Sequence, residues 1–309
     1  MKCRRCKELA QIALPSHHTA FCRDCFERYF IRQIETGIRR QKMFTHEDRI
    51  LCALSGGKDS LALMWVLSHL GYDVTGLHVD LGIEGSSPMA RGQVEAFCQD
   101  HDLKLVVVET APKGLGIPEV YKALKRPICP VCGKIKRYYF NKTALEGGYT
   151  ALTTGHNLDD EVARLFANTL RWDQSYLSDQ GPALPAEAGF AAKVKPLYRV
   201  TEFETAAFCF LKKIPHVKAP CPYSKGASFT SHKALWATLE EKSPGSKIAF
   251  YDGFLERGRP AFAALEPGHG TKLSPCRTCG YPTSVEWCGV CRLKRQVAGL
   301  PPEAAEAEE

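Results

Sequence analysis

Short apolar runs alternate along the chain with stretches in which apolar residues recur every three or four positions. The runs at 49 to 54, 74 to 79, 103 to 108 and 150 to 154 have strand length and predict β-strands. The periodic stretches between and after them predict helices at 60 to 70, about 89 to 100, about 133 to 146, 158 to 170, near 202 to 212 and near 229 to 241. Strands alternating with helices at this spacing predict an α/β fold, a doubly wound parallel sheet. Ligands of such a sheet bind beyond the carboxyl ends of its strands. Ahead of the first strand, Phe26, Tyr29, Phe30, Ile34 and Ile38 predict an amphipathic connecting helix from 27 to 41. A loop carries Pro112, Gly114, Gly116 and Pro118, and the polar stretch near 173 to 192 reads as a surface loop.

The 309 residues, 44% of them hydrophobic, are enough for one or two domains with a buried core. No apolar stretch approaches the ~20 residues that span a bilayer. The opening Met1-Lys-Cys-Arg-Arg-Cys6 has no apolar h-region, so the cytoplasm is the expected compartment. Fourteen cysteines in such a chain point to metal ligation rather than disulfides. The formal charge is +7, although the last ten residues hold four glutamates. Basic residues gather at Lys2, Arg4, Arg5 and Lys7; at Arg39, Arg40 and Lys42; at Lys122, Lys125, Arg126, Lys134, Lys136 and Arg137; and at Arg292, Lys294 and Arg295. Such clusters fit phosphate-backbone contacts with a nucleic acid, though any one of them also fits a solvated surface.

Cysteine pairs mark both ends. Cys3-x-x-Cys6 with Cys22-x-x-Cys25, and Cys276-x-x-Cys279 with Cys288-x-x-Cys291, have the spacing of tetrahedral structural zinc sites. His17 and His18 lie in the first linker, but four thiolates already close that site. The expected division is an N-terminal zinc module at 1–28, a central domain at 29–245, a C-terminal zinc module at 270–298 and a disordered acidic tail at 299–309.

The run Ser55-Gly56-Gly57-Lys58-Asp59-Ser60 lies between the first predicted strand and its helix. Paired glycines let the backbone approach an anion, and the helix start aims free N–H groups and a positive dipole at it. The spacing is not the Walker pattern. It resembles the PP-loop, S-G-G-x-D-S, which in ATP pyrophosphatases holds the departing pyrophosphate while a substrate oxygen attacks the α-phosphate. His78 to Asp80 and Gly155-His156-Asn157 lie at the ends of two further strands.

A third pair, Cys129-Pro-Val-Cys132, stands just before the predicted basic helix with Lys134, Lys136 and Arg137. Cys52 and Cys98 fall within apolar patterns and read as packing residues, whereas Cys221 lies in the proline-flanked loop Ala219-Pro-Cys-Pro222. Three thiolates from Cys129, Cys132 and Cys221 would hold an iron–sulfur cluster with one iron uncapped. A third zinc site completed by Cys209 or His216, or a redox dithiol at Cys129 and Cys132, fits the spacing as well.

Together these motifs resemble the TtuA-type tRNA 2-thiouridine synthetases of the TtcA/TtuA superfamily almost end to end. The carriers are the two four-cysteine modules, Ser55 to Ser60, Cys129-x-x-Cys132 with Lys136, Thr154-Gly-His-Asn-Leu-Asp-Asp-Glu161, Cys221 and the run Cys276 to Ser284. The resemblance implies a 4Fe-4S cluster on Cys129, Cys132 and Cys221. It implies ATP bound by Ala53, Ser55, Gly56, Gly57, Lys58, Asp59, Ser60, His78, Val79, Lys136, Gly155 and His156, with Mg²⁺ near Asp59. The implied reaction adenylates a uridine C2 oxygen and then displaces AMP by sulfur delivered at the cluster. Lys136 would stabilise charge at the α-phosphate. Asp160 would serve Mg²⁺ or act as a general base, or it is simply a helix-start charge. The two Zn²⁺ would be structural, and tRNA and a sulfur donor would be partners. That donor is a ubiquitin-like thiocarboxylate carrier or sulfide from a cysteine desulfurase, and the expected assembly is a homodimer. Position 54 of the T loop is the expected target, with the wobble uridine or cytidine 32 as alternatives. Two other readings compete: a PP-loop ligase that adenylates a non-tRNA substrate, and a zinc-ribbon regulatory protein, which leaves Ser55 to Ser60 idle.

Overall fold

The computed structural model describes all residues except 126, 188–189, 220, 224–227, 266–272 and 301–309. Arg126 of the basic clusters and nearly all of the acidic tail therefore lie outside the described residues.

The chain opens with a hairpin of β1 (Ile12–Leu14) and β2 (Thr19–Phe21), followed by α1 (Arg23–Arg40). α1 buries Phe26, Tyr29, Phe30, Ile34 and Ile38 along one side, as their spacing predicts. Then come β3 (Arg49–Ala53), α2 (Lys58–His69), β4 (Asp73–Asp80), α3 (Ser86–Asp100) and β5 (Leu105–Glu109). The chain crosses over through α4 (Ile117–Leu124) and α5 (Cys129–Glu146) to β6 (Ala151–Thr154) and α6 (Leu158–Arg171). After α7 (Gln174–Asp179), β7 (Ala183–Leu184) and β8 (Ala192–Val194) come α8 (Glu202–Lys212) and α9 (Ser228–Lys242). α10 (Ser246–Gly253), a π-helical turn (Phe254–Gly258) and α11 (Arg259–Leu265) follow. The chain closes with a hairpin of β9 (Ser274–Pro275) and β10 (Pro282–Thr283), and α12 (Gly289–Val297).

The six-stranded sheet has the order β5-β4-β3-β6-β8-β7. Every pairing is parallel except that of edge strand β7 with β8. Ile50 sits in register with Val74 on one side and Ala151 on the other, so β3 is the central strand. The chain winds outward from β3 through β4 to β5, then returns to place β6 on the other flank. The winding reverses between β3 and β6, and the crevice beyond their carboxyl ends is the ligand position of such a sheet.

Alternation along β3 divides the interior in two. Ile50 and Cys52 join α1, α2, α3, α6 and α8 in one core, and Leu51 joins α4, α5 and Leu77 in the other. Phe30 and Phe208 stack at 4.3 Å within the first core, both fully buried. Cys3, Cys22 and Cys25 belong to that core, and Cys276, Cys288 and Cys291 to the opposite one. The two terminal cysteine modules are thus packed against opposite faces of the sheet.

Four expectations need correction. The stretch at 173 to 192 is not one surface loop, because it contains α7 and contributes β7 and the start of β8 to the sheet. These strands are two and three residues long, too short for a periodic signal. The proline-containing loop after 109 turns into α4, with Pro118 in the first helical turn, where a missing N–H costs nothing. Cys129 and Cys132 do not precede the basic helix; they form its first turn. Beyond 245, where no element is expected, α10 packs on α6 and α11 on α7.

Truncating the stacked ring tests the first core. Phe30→Ala is expected to destabilise the protein by about 3–5 kcal/mol in urea unfolding, the usual cost of deleting a buried phenyl group. A loss below about 1 kcal/mol would mean that α1 contributes little to this core.

Candidate functional site

Ser55 to Ser60 form the turn between β3 and α2, and its shape explains both glycines. Gly56 has φ +79°, and a Cβ there would come within 3.1 Å of the Ala90 carbonyl. Gly57 is the N-cap of α2 and leaves the helix without a side-chain cap, so the first amides of α2 face the crevice. Ser55 and Ser60 brace the turn: Ser60 Oγ donates to the Gly57 carbonyl at 2.9 Å, and Ser55 N–H donates to Ser60 Oγ at 3.2 Å. The turn after β6 closes on it, because a Cβ on Gly155 would lie 2.8 Å from Ser60 N and 2.9 Å from Asp59 C. Only glycine permits that approach.

His78 lies beneath the turn. Its Nδ1 meets the Leu54 carbonyl at 2.9 Å, while Nε2 is buried with no protein partner. Burial pushes its pKa down, so Nε2 is an unprotonated acceptor at neutral pH. Val79 follows it on β4, Ala53 ends β3, and His156 bonds Thr154 at the crevice mouth. An anion-binding turn with open amides and a glycine-lined floor suits a nucleotide triphosphate.

A chain of charges crosses the site. Lys58 Nζ lies 3.0 Å from Asp59 Oδ2 and 2.8 Å from Glu202 Oε1, and Lys233 Nζ bridges Glu202 (3.1 Å) to Asp160 (2.6 Å). Asn157 Nδ2 donates to Asp59 Oδ1 at 3.0 Å. Burial pushes the Asp59 carboxyl up against the pull of Lys58 and Asn157. Burial acts likewise on Glu202, but Lys58 and Lys233 outweigh it and hold this carboxyl at about 2. Asp160 closes a capping box with Asn157 at the start of α6. Asp160 thus has one oxygen on the Asn157 backbone N–H and the other on Lys233. Sequence reasoning missed Glu202 and Lys233. The Thr201-x-x-Glu204 capping box that starts α8 marks Glu202's helix, but nothing local marks its partners.

The thiol site adjoins the phosphate turn. Val217 N–H donates to the Gly56 carbonyl at 2.9 Å, and four residues later the same segment reaches Cys221. Two residues further, the Tyr223 carbonyl accepts from the Cys129 thiol at 3.4 Å. Burial pushes the Cys132 thiol up; Lys136 then draws it down, while the neighbouring sulfurs of Cys221 and Cys129 push it up again. Cys129, Cys132 and Cys221 therefore share one electrostatic neighbourhood with Lys136. Of the alternative ligands, Cys209 is buried with its thiol on the Lys58 carbonyl, whereas His216 turns Nδ1 to the Ile214 carbonyl at 3.1 Å and keeps Nε2 as its ligand atom. Cys52 and Cys98 are buried packing residues, as their patterns predict.

Among the described residues, two groups bring four ligand atoms within 4.8 Å of one another: Cys3, Cys6, Cys22 and Cys25, and Cys276, Cys279, Cys288 and Cys291. Sulfurs at this spacing fit tetrahedral zinc. Burial would raise the Cys3 and Cys276 thiols, yet backbone N–H groups aimed at their sulfurs bring each down to about 6. That favours the thiolate a metal needs. His17 is no ligand; its ring meets Tyr29 at 2.9 Å and Glu204 at 3.4 Å.

A glycine turn of this form at the switch point of a doubly wound sheet defines the PP-loop class of nucleotide-binding enzymes, and the PP-loop domain family matches residues 27–224. The N-terminal LIM domain of the 2-thiouridine synthetase TtuA matches residues 2–27. A tRNA-5-methyluridine(54) 2-sulfurtransferase of Thermus thermophilus is 42% identical over 294 residues, covering 95% of this chain and 91% of the relative. A Pyrococcus horikoshii protein of the same name is 38% identical, covering 96% of each. The solved U34-tRNA thiolase NcsA from Methanococcus maripaludis, with its 4Fe-4S cluster, is similar at a TM-score of 0.74 and 26% identity, over 83% of this chain and 87% of that one. This chain belongs to the TtuA-type family of PP-loop tRNA 2-sulfurtransferases.

Gly155→Ala forces a methyl group into the α2 backbone and is expected to cost roughly 1–3 kcal/mol in urea unfolding and to weaken ATP binding. A neutral result on both would show that the two turns can separate freely. Glu202 gives a pH signature, since a carboxyl with a depressed pKa adds stability above its unfolded value that disappears as pH falls through the folded one. The Tm difference between wild type and Glu202→Gln is expected to stay constant above about pH 5 and to shrink toward pH 2. A difference that grows on acidification would contradict the ion-pair assignment.

Proposed function

We propose that this protein uses ATP to replace the C2 oxygen of uridine 54 in the T loop of tRNA with sulfur. The segment from Val217 to Tyr223 carries this reading, because it ties the phosphate turn to the thiol site through Gly56 and Cys129. Position 54 is favoured by the relatives named for it, at 42% and 38% identity, over the U34 thiolase at 26%.

The chain's own groups account for the first half of the reaction. The Gly56–Gly57 turn and the α2 amides hold the β- and γ-phosphates, and Lys58 adds charge. Asp59 is placed to carry Mg²⁺ on the pyrophosphate. The uridine C2 oxygen attacks the α-phosphate, the bond to pyrophosphate breaks, and the pyrophosphate stays on the turn. Lys136, one helical turn beyond Cys132, stabilises the charge growing on the α-phosphate. AMP, a far better leaving group than hydroxide, is then displaced from C2. Cys129, Cys132 and Cys221 would hold a 4Fe-4S cluster, whose fourth iron supplies the place where sulfur is presented. Burial raises the Cys132 thiol, and Lys136 pulls against that rise.

Asp160 positions Lys233 and the start of α6 rather than moving a proton. The four-cysteine modules hold two structural Zn²⁺ and add basic surface toward tRNA. Sulfur arrives from a ubiquitin-like thiocarboxylate carrier or as sulfide made by a cysteine desulfurase. A cytoplasmic homodimer is the working form; reduced thiols favour the compartment, and the dimer rests on the family resemblance alone. No helix among the described residues is long and apolar enough to cross a membrane.

The test is anaerobic thiolation of a tRNA transcript with ATP, Mg²⁺ and sulfide, read by nucleoside mass spectrometry. Cys221→Ala is expected to lose both the visible charge-transfer absorbance and 2-thiouridine formation. Lys136→Ala is expected to keep the absorbance while turnover falls about 100-fold or more. Full activity in Cys221→Ala would remove the thiol site from the reaction.

A further inference from the structure

A uridine within a folded RNA must leave its stack before its C2 oxygen can meet an α-phosphate, and an extruded base needs a surface to lie on. An aromatic pair stands beside the thiols. Tyr121, in the last turn of α4, is 46% exposed, and its ring lies 5.3 Å from that of Tyr223 at 61°. The carbonyl of Tyr223 accepts from the Cys129 thiol, so the pair borders the site where sulfur is presented. A core role explains Tyr223, which is half-buried against the second core. It does not explain Tyr121, which keeps nearly half its surface in water. Exposed Lys122 and Lys125 flank Tyr121 at the same helix end, with Lys125 turned to φ +48°. Aromatic faces interleaved with lysines are the elements that single-stranded RNA recognition uses.

We propose that Tyr121, supported edge-on by Tyr223, is the platform on which the target pyrimidine stacks while its C2 oxygen is exchanged for sulfur. The assignment rests on the tRNA-thiolation reading above. It makes Tyr121 a substrate-positioning residue, recognised through its ring rather than its hydroxyl, with Lys122 and Lys125 holding the flanking phosphates.

The test uses full-length protein loaded with zinc and cluster, and an unmodified tRNA transcript. Tyr121→Leu preserves apolar bulk but removes the π face. Its kcat/KM for tRNA is expected to fall about tenfold or more, the usual effect of losing one base–aromatic stack. Its charge-transfer absorbance and ATP affinity should match wild type, and the salt slope of tRNA binding should not change. Tyr121→Phe should restore kcat/KM to within about twofold, because the ring remains. Lys122→Ala with Lys125→Ala should instead lower that salt slope by roughly 0.7 per lysine. Wild-type kcat/KM in Tyr121→Leu, or an equal loss in Tyr121→Phe, would overturn the platform. Failure of the wild-type protein to thiolate the transcript would overturn the function reading instead.

Discussion

The hydrogen bond from the Val217 amide to the Gly56 carbonyl joins two chemistries. Gly56 can offer that carbonyl because its positive φ turns the peptide outward. Without the bond, the phosphate turn and the Cys221 loop would be separate surface features. With it, the segment that reaches Cys221 and Tyr223 is anchored on the turn that grips phosphates. The parallel pairing of β3 with β6 adds a second constraint, bringing Gly155 against the start of α2 so closely that no side chain fits. The glycine turn, the turn after β6 and the Cys221 segment share one crevice because backbone touches backbone at both places.

The charged residues around that crevice keep it poised. Lys58 is held by Asp59 and Glu202, and Glu202 is shared with Lys233 and so linked to Asp160. Three carboxylates here face two ammonium groups, so a polyphosphate that arrives with Mg²⁺ can exchange these partners while the cation takes up the surplus negative charge. Lys233 comes from α9 and Glu202 from α8, so the helices that follow the sheet complete the site begun by β3 and α2.

Much of this was legible in the sequence, and the reasons are local. The turn Ser55 to Ser60 announces itself because glycine, lysine and serine are needed there in that order between a strand and a helix. The four-cysteine modules are equally plain, since a metal fixes ligand spacing along the chain. Cys129, Cys132 and Cys221 could be grouped but not assigned from spacing alone. That the buried Cys209 spends its thiol on the Lys58 carbonyl instead emerges only from the fold. Glu202, Lys233, Val217 and Tyr121 stayed hidden because each acts through contacts distant in sequence. The short strands β7 and β8 were missed because their pairing, not their composition, makes them strands.

The central claim is that the phosphate turn and the thiol site act in succession on one uridine C2 atom. A tRNA carrying ¹⁸O at C2 of the target uridine, turned over once under anaerobic conditions with ATP, tests this directly. The account predicts that the label leaves the RNA and appears in the phosphate of AMP as 2-thiouridine forms. Thiolated RNA accompanied by unlabelled AMP, or by ADP in place of AMP, would contradict it.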